Sequence, residues 1–351
     1  MNPEQNKNLS ASESAAPLNP GRLISLGLGF WGAKTFLSAI ELGVFTELAK
    51  KPADSASLCK QLGLHPRSSR DFLDTLVSLG ALQRDGQIYS NSPDADVFLD
   101  SAKPSYVGGF LEMVNARLYT HWGSLTEGLR TGKPQNEIKM GQSEPFAELY
   151  ADPARLRLFV QAMTGLSIGT GKAIAQKFPW NNYKTFCDVG GSQGGVAVQI
   201  ALQHPHLTGV VFDLPAVQPL FEEYVRSFHL ENRLRFVPGN FFKEPLPGSD
   251  VILMGHILHD WGLADKKMLI SKAYQALPPK GAYIAFETLI DDERQTNTLG
   301  LLMSLNMLIE TPEGFDYSGA DGCGWFAEAG FKDLRTESLA GPDAMVVGFK
   351  K

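Results

Sequence analysis

The chain has 351 residues, of which 43% are hydrophobic and 20% are charged, and its formal net charge is −6. These values are ordinary for a globular protein, and the length suffices for two domains. The acidic balance argues against a nucleic-acid partner or an anionic membrane surface, because both favour basic proteins. Cys59, Cys187 and Cys323 lie far apart without metal-ligand spacing, which predicts unpaired thiols in a reducing compartment.

The N-terminal segment MNPEQNKNLSASESAAPLNP is polar and has no basic stretch followed by an apolar one. It therefore does not have the pattern of a secretory signal, and its composition predicts a disordered tail over residues 1–19. No uninterrupted run of about 18 apolar residues follows, so we expect no membrane-spanning segment. A cytoplasmic location is the resulting expectation.

Residues 20–103 combine helical patterns with a hairpin signal. The apolar spacing in TFLSAIELGVFTELAKK is helical and ends at Pro52. Two short helices are predicted next, the second of which opens at Pro66. Asp85-Gly86 lies between two short alternating runs, which predicts a hairpin turn. This order of elements is typical of a winged-helix domain.

The pattern of apolar residues in the rest of the chain changes near residue 180. Residues 104–180 show helical spacing and predict a connecting region that helps form a substrate pocket. Over residues 181–351, strand-like runs such as TGVVFDLP alternate with helical patterns such as KKMLISKAYQAL. Such alternation predicts an α/β domain with a Rossmann-like, doubly wound, mostly parallel sheet.

A strand, a glycine-rich turn and a helix in FCDVGGSQGGVAVQIALQ indicate a ligand site. The dinucleotide fingerprint matches poorly, because Ser192 stands where its second glycine belongs. Asp188, two residues before Gly190, favours S-adenosylmethionine, which has no pyrophosphate to bind. Asp213 ends the next strand, where a carboxylate can accept both ribose hydroxyls. The alternative is a turn that serves only strand–helix packing, with Asp213 as a helix cap.

The segment VILMGHILHDWGLADKK leads from a buried strand into a cluster of polar side chains. A histidine of roughly neutral pKa can take a proton from an acidic hydroxyl, and strand ends of open α/β sheets present such groups. His256 and His259 could instead form a metal pair. Asp260 is the one further ligand nearby, however, whereas zinc requires three or four. We therefore expect no metal.

Together, these motifs resemble the class I S-adenosylmethionine-dependent O-methyltransferases of the plant caffeic acid and hydroxyindole type, with their bacterial secondary-metabolism relatives. The resemblance begins near residue 20 and includes DVGGSQGG, FDLP, HILHDW, FETLI and WFAEAGF. It implies a homodimer formed through the N-terminal domain, and S-adenosyl-L-methionine as a donor that leaves as S-adenosyl-L-homocysteine. It also implies methylation of a hydroxyl on a small aromatic or polyketide-like molecule, without a metal.

The resemblance also implies roles for individual residues. His259 corresponds to the general base, Glu287 to the carboxylate that holds its imidazole, and Asp316 to a second, normally longer, acid. The residues implied to bind the cofactor are Asp188, Gly190, Gly191, Gly194, Asp213, Leu214, Asn240, Phe241, Asp260 and Ser167. Those implied to bind the substrate are Phe159, Met163, His256, Met307 and Thr311. For Ser167 and the substrate positions, ordinary helix packing explains the residue types equally well.

Two positions depart from the family pattern. Asn240 replaces an aspartate that contacts adenine in the family. Its amide oxygen can still accept a hydrogen bond from adenine, but it is uncharged, whereas the aspartate is charged. Gly255 stands where the plant enzymes have a lysine, which places the chain nearer the bacterial branch.

Other functions remain open at this point. The winged helix could bind DNA through Arg67 and Arg70, although Asp71 and Asp74 lie on the same helix. The same fold and cofactor also support hydroxylation, decarboxylation or pericyclic reactions. Carbon or nitrogen acceptors are further alternatives, although a nearby base suits an acidic hydroxyl best.

Overall fold

The computed structural model describes residues 18–103, 105–140 and 152–351, so most of the predicted tail lies outside it. The helices are α1 Gly21–Gly27, α2 Gly29–Glu41, α3 Val44–Lys50, α4 Ser55–Leu62, α5 Ser69–Ser78, α6 Pro93–Phe98, α7 Gly108–Met113, α8 Tyr119–Trp122, α9 Leu125–Thr131, α10 Pro153–Lys177, α11 Gly195–Gln203, α12 Gln218–Ser227, α13 Leu263–Ala276, α14 Thr298–Glu310 and α15 Gly319–Ala329. The strands are β1 Ala53–Asp54, β2 Leu82–Asp85, β3 Ile88–Asn91, β4 Thr185–Val189, β5 Thr208–Asp213, β6 Leu234–Pro238, β7 Val251–Gly255, β8 Ala282–Glu287, β9 Lys332–Ser338 and β10 Ala344–Phe349.

The N-terminal helices accompany a small antiparallel sheet with the strand order β1-β3-β2. The hairpin predicted at Asp85-Gly86 is confirmed, because β2 pairs with β3 and Gly86 has a φ of +58°. The prediction that Pro66 opens a helix is wrong. The main-chain N–H of Arg67 donates to His65 Nδ1 and closes a turn, so helix α5 begins only at Ser69.

Helices α1 and α2 expose much of their apolar surface. Together they form a segment, Gly21–Glu41, that is long and apolar enough to cross a membrane by length and composition. The sequence expectation overlooked it because polar residues interrupt the apolar run. The segment is near the N-terminus, and Leu23, Leu26 and Trp31 on it are 72%, 78% and 59% exposed. Side chains of this kind mark an interaction surface.

The connecting region is helical in its described parts and is tied to helix α14. The Arg117 guanidinium pairs with the carboxylates of Glu137 and Glu310. The Trp122 indole N–H donates to Asn306 Oδ1 at 2.9 Å. Because Glu310 and Asn306 both belong to α14, these contacts hold the region against the C-terminal part of the chain.

The large sheet has seven strands in the order β6-β5-β4-β7-β8-β10-β9. The pairs among β6, β5, β4, β7 and β8 are parallel, whereas β10 is antiparallel to both β8 and β9. Neighbouring residues of β4, Phe186 and Cys187, belong to core clusters on opposite faces. Helices α11 and α12 contribute to one cluster, and α13 and α15 to the other. The predicted doubly wound, mostly parallel sheet is confirmed.

Candidate active site

A cavity of about 650 Å³ lies where the parallel strands β4, β5 and β7 end. Its lining includes the glycine turn after β4, Asp213 at the end of β5, and His256 and Asp260 after β7. Ligands of open α/β sheets bind at this edge, outside the carboxyl ends of the strands. Its size is within the range of small-molecule sites.

The glycine turn leaves the main chain open to the cavity. At Gly190, with a φ of +71°, a Cβ atom would lie 2.3 Å from Ile257 Cδ1. At Gly191 it would lie 2.6 Å from Asp188 Cγ. Both positions therefore require glycine. Ser192, at a φ of +53°, donates its main-chain N–H to Asp213 Oδ2 at 2.8 Å. Asp213 thus supports the turn as well as facing the cavity.

Asp188 and Asp213 are buried carboxylates on the cavity wall. Burial and the neighbouring charge of Asp213 raise the pKa of Asp188 to about 7, and its Oδ2 has no hydrogen-bond partner among the described residues. Burial also raises the pKa of Asp213 to about 6, against the N–H groups of Leu214 and Ser192 that lower it. Such a pair suits a ligand with hydroxyl donors and positive charge, as S-adenosylmethionine has.

Leu214, Asn240, Phe241 and Ser167, which the sequence assigned to cofactor binding, also line the cavity. The Asn240 side-chain oxygen already accepts the main-chain N–H of Phe242 at 2.8 Å. One lone pair of that oxygen is then left for a ligand.

Gly194 is the exception among the assigned cofactor residues, because it does not line the cavity. It caps helix α11 at a φ of +91°, and a Cβ atom there would meet the Phe221 ring at 3.2 Å. Its glycine serves helix packing.

Three aromatic side chains form one wall of the cavity. The Trp261 ring meets the Phe242 ring edge-to-face at 4.5 Å between centroids, and the Phe241 ring at 6.0 Å. The sequence assigned Phe241 but missed Phe242, although the two are adjacent in the chain.

His259 lies just behind the cavity wall. Its side chain is 8% exposed, and Asp260, which lines the cavity, places Oδ1 3.6 Å from His259 Nε2. On the other side of the ring, Nδ1 faces Asp316 Oδ1 at 3.2 Å. Nε2 is therefore the ring nitrogen on the side of the cavity.

The carboxylates around His259 differ from the expected arrangement. Glu287 was expected to hold the imidazole, yet its Oε1 accepts the main-chain N–H of His259 at 3.2 Å. The partner of the ring is Asp316, the second acid that the resemblance implied. The shorter aspartate is itself buried and places Oδ1 within reach of Nδ1. Glu287 Oε2 and Asp316 Oδ2 have no hydrogen-bond partner among the described residues.

The surrounding acids control the protonation of His259. Burial alone would lower its pKa, but Asp260, Glu287 and Asp316 together raise it to about 10. Burial also raises the pKa of Glu287 to about 7. An imidazole in such a site has a high affinity for a proton.

His256 lines the cavity and has its own carboxylate partner. Its Nε2 lies 3.3 Å from Asp343 Oδ2, and the hydroxyls of Thr170 and Thr288 also donate to Asp343. His256 adopts a φ of +52°, which is unusual for a residue with a side chain and typical of functional sites. Sequence reasoning could not find Asp343, because it comes from the loop between β9 and β10.

The predicted substrate residues divide into two groups. Phe159, Met163 and His256 line the cavity, whereas Met307 and Thr311 do not. Thr311 is buried at the end of helix α14, where its hydroxyl donates to the Met307 carbonyl and accepts the N–H of Gly314. These bonds give Thr311 a structural role, and its assigned contact with the substrate stays a prediction.

Gly255 also has a structural explanation. A Cβ atom at this position would lie 1.8 Å from the Phe286 ring, which lines the cavity. The ring thus occupies the space into which the lysine of the plant enzymes would extend, so Phe286 in this position requires glycine at 255.

The ligand atoms of His259, Glu287 and Asp316 lie within 4.8 Å of one another, which is close enough to share a metal ion. The sequence considered only Asp260 as a further ligand, so the donor set is larger than expected. These three side chains could therefore serve as the ligands of a metal ion, and His259 with Asp316 could equally serve as a pair for proton transfer.

Comparison with known proteins identifies the family. A family model described as an O-methyltransferase domain matches residues 122–332, and one described as an O-methyltransferase dimerisation domain matches residues 24–101. The tetracenomycin polyketide synthesis 8-O-methyl transferase TcmO of Streptomyces glaucescens is 43% identical over 332 residues, 94% of this chain and 97% of that protein. The N,N-dimethyltransferase OxyT of Streptomyces rimosus is 35% identical, over 92% and 94% of the two chains.

Among solved structures, human N-acetylserotonin methyltransferase in complex with SAM superposes with a TM-score of 0.87. It is 27% identical, and the match covers 97% of this chain and 99% of that one. The chain therefore belongs to the O-methyltransferase family, and it is an S-adenosylmethionine-dependent O-methyltransferase.

Proposed function

We propose that the enzyme methylates a hydroxyl group of an aromatic polyketide or a related small aromatic molecule, with His259 as general base. The observation that carries this proposal is the imidazole of His259 beside a cavity whose other wall has Asp188, Asp213 and the glycine turn. The relative TcmO, named for 8-O-methylation in polyketide synthesis, supports the substrate class.

The chain's own residues have three tasks in this proposal. When bound, S-adenosylmethionine supplies a reactive methyl group on a sulfonium, so the protein has to provide an aligned, deprotonated acceptor. His259 Nε2 takes the hydroxyl proton, and Asp316 holds Nδ1 and stabilises the imidazolium. The apolar wall of Phe159, Met163 and Phe286 excludes water from the reacting groups.

The assignments to the cofactor are part of the same proposal. Asp213 would accept the ribose hydroxyls, and the main chain at Gly190 and Gly191 would lie against the amino-acid end, near the unpaired oxygen of Asp188. Phe241 and Trp261 would pack against the adenine.

We propose that the cluster of His259, Glu287 and Asp316 works without a metal. Nδ1 of the imidazole is already engaged by Asp316. The buried ammonium of Lys266 also interacts with Glu287 and Asp316, and its positive charge opposes the binding of a cation there.

A methyl-transfer assay tests the proposed function. The purified chain is incubated with S-adenosylmethionine carrying a labelled methyl group, a panel of hydroxylated aromatic and polyketide-type compounds, and excess EDTA. We expect an O-methylated product with one S-adenosylhomocysteine formed for each methyl transferred. NMR of the product identifies the methylated atom.

The same assay separates the alternatives. An N-methylated product would instead match the activity for which OxyT is named. Conversion of the acceptor without S-adenosylhomocysteine would favour a non-methylating reaction, and dependence on added divalent metal would contradict the metal-free cluster.

We further propose that residues 20–103 form a dimerisation domain, followed by a connecting region over residues 104–180 and the catalytic domain over residues 181–351. Within the first of these, the exposed apolar side chains of α1 and α2 would face a second copy of the chain. The match of residues 24–101 to a dimerisation domain supports this surface. The expectations of a cytoplasmic location and of no nucleic-acid or membrane partner remain predictions.

The substitution Trp31→Glu tests the dimer. Because Trp31 is 59% exposed in the single chain, the change should leave the fold intact while placing a charge in the interface. We expect the dimer to be weakened by at least about 30-fold, as for an interface hot spot. Sedimentation equilibrium measures the effect, with Leu202→Glu, at a 46% exposed leucine of α11, as control. Equal dimer affinity in wild type and Trp31→Glu would place the interface elsewhere.

A further inference from the structure

Lys266 is a buried lysine that the proposed proton transfer does not use. It lies in helix α13 and is 0% exposed, whereas the side chain of the next residue, Lys267, is 39% exposed and pairs with Glu328. Burying an ammonium group is unfavourable unless nearby groups compensate its charge. The lysine is therefore best explained by the groups that it faces.

The Lys266 ammonium contacts two segments that hold the partners of His259. It donates a hydrogen bond to the main-chain carbonyl of Trp261, which directly follows Asp260. It also lies 3.6 Å from the centroid of the Phe315 ring and 6.0 Å from that of Tyr317. These two rings precede and follow Asp316 in the chain, so a single side chain joins the loop carrying Asp260 to the loop carrying Asp316.

The charges around Lys266 come from three parts of the fold. Asp260 follows β7, Glu287 ends β8 and Asp316 belongs to the loop after α14, and all three act electrostatically on the lysine. His259 and His256 are the other basic groups that act on these acids, and the phenol of Tyr317 lies beside them. Burial lowers the pKa of Lys266 to about 8, against the three carboxylates that raise it. The ammonium in turn acts to lower the pKa of Asp260 and of Glu287.

We propose that Lys266 is a positioning residue for the catalytic cluster, which joins its two loops and supplies the positive charge that balances its acids. This inference rests on the proposed role of His259 as base. The acids around the imidazole raise its pKa, so most of it holds a proton near neutral pH and cannot act as the base. A cation beside these acids opposes that protonation and enlarges the fraction of neutral imidazole near neutral pH, where the acceptor must be deprotonated.

The test compares Lys266→Met, which has similar length without charge, with Lys266→Arg, which keeps the charge. Lys267→Met is the matched control on the same helix. For each variant, kcat/KM for the acceptor is measured from pH 6 to 9.5, and titration with S-adenosylhomocysteine verifies the fold. The same profile is recorded for His259→Gln alone and combined with Lys266→Met.

We expect Lys266→Met to lower kcat/KM by about tenfold at pH 6, because loss of the cation strengthens the protonation of His259 and leaves about tenfold less neutral imidazole. The deficit should nearly disappear above pH 8.5, because the wild-type lysine is itself neutral there. Lys266→Arg should restore most of the activity at low pH, and Lys267→Met should match the wild type. In the His259→Gln background, Lys266→Met should have no pH-dependent effect.

A deficit of equal size at every pH would overturn the proposal and leave Lys266 a packing residue. Unchanged activity of Lys266→Met at pH 6 would overturn it as well. Failure of the proposed function has a different signature, because His259→Gln alone would then retain wild-type activity. If Lys266→Met no longer binds S-adenosylhomocysteine, the profile of the charge-preserving Lys266→Arg decides: a uniform deficit in that variant counts against the proposal, and a wild-type profile supports it.

Discussion

Replacing His259 by glutamine is expected to lower kcat/KM for a phenolic acceptor by about 10²- to 10⁴-fold near pH 7. Glutamine retains a hydrogen-bonding side chain of similar length but cannot accept the proton that Nε2 is proposed to take. The binding of S-adenosylhomocysteine should remain unchanged, because His259 does not line the cavity. Steady-state kinetics and calorimetric titration measure the two quantities.

The pH dependence of this loss distinguishes a base from a residue that only shapes the site. A phenol is ionised in solution above its pKa of about 10, and a phenolate needs no base. Because the pKa of His259 is itself raised to about 10, the neutral imidazole and the phenolate both increase with pH below that value. The deficit of His259→Gln should therefore stay nearly constant there and shrink only above it. Asp316→Asn removes a negative charge 3.2 Å from Nδ1, which lowers the pKa of His259 from its raised value of about 10. The alkaline rise of kcat/KM should accordingly move to lower pH in that variant.

Two further variants complete this experiment. His229→Gln alters an exposed histidine and should behave as the wild type. His256→Gln changes the histidine that does line the cavity and has Asp343 as partner. If His256→Gln abolished activity while His259→Gln retained it, the base would be His256 and the proposed assignment would be wrong. A deficit of His259→Gln that persists where the phenol is fully ionised would instead indicate a positional role.

The sequence predicted the parts of the site that are local in the chain. The glycine turn, Asp213 and the HDW segment each consist of a few adjacent residues whose spacing carries the information. The partners of the histidines are different, because they come from distant loops. Asp316 lies 57 residues from His259, and Asp343 belongs to the loop of a C-terminal hairpin that the sequence did not indicate. Only the folded sheet brings these groups together.

The same distinction applies to residues whose packing explains them without the assigned role. Gly194 and Thr311 match family motifs by position, yet a Phe221 ring and a helix end explain them. Lys266 presents the opposite case. Its position in a charged run, ADKK, is typical of a solvated helix face, and nothing local shows that it is buried while Lys267 is not. The mostly parallel sheet was predictable because alternating strands and helices leave few topologies.

Replacing Asp213 by alanine is expected to weaken the binding of S-adenosylmethionine by about 10²- to 10⁴-fold. Two hydrogen bonds to a charged group contribute about 1.5–3 kcal/mol each, and both are lost with the carboxylate. The change also frees the main-chain N–H groups of Ser192 and Leu214, which loosens the glycine turn. Calorimetric titration of the purified protein with S-adenosylmethionine and S-adenosylhomocysteine measures the loss.

The wild-type affinity should depend on pH in a defined direction. Burial raises the pKa of Asp188 to about 7 and of Asp213 to about 6, so the free protein holds protons that unfolded aspartates would release near pH 4. The two protonated acids therefore contribute to the stability of the ligand-free folded protein at low pH. That contribution is lost as the pH rises through 6 to 7. A cationic ligand that donates hydrogen bonds favours the ionised carboxylates. Its binding then releases protons, and its affinity should rise between pH 5 and 7.5.

Asp250 provides the matched control for Asp213, because its carboxylate also accepts two main-chain N–H groups, those of Lys184 and Thr185. It precedes β7 at the opposite end of the strands and does not line the cavity. Asp250→Ala should therefore lower the free energy of unfolding while leaving the affinity and its pH dependence intact. If Asp213→Ala and Asp250→Ala weakened binding equally, the effect would come from lost stability. Selective loss in Asp213→Ala, together with a flatter pH dependence, would place the ribose at the end of β5, because Asp213 is the carboxylate at that strand end.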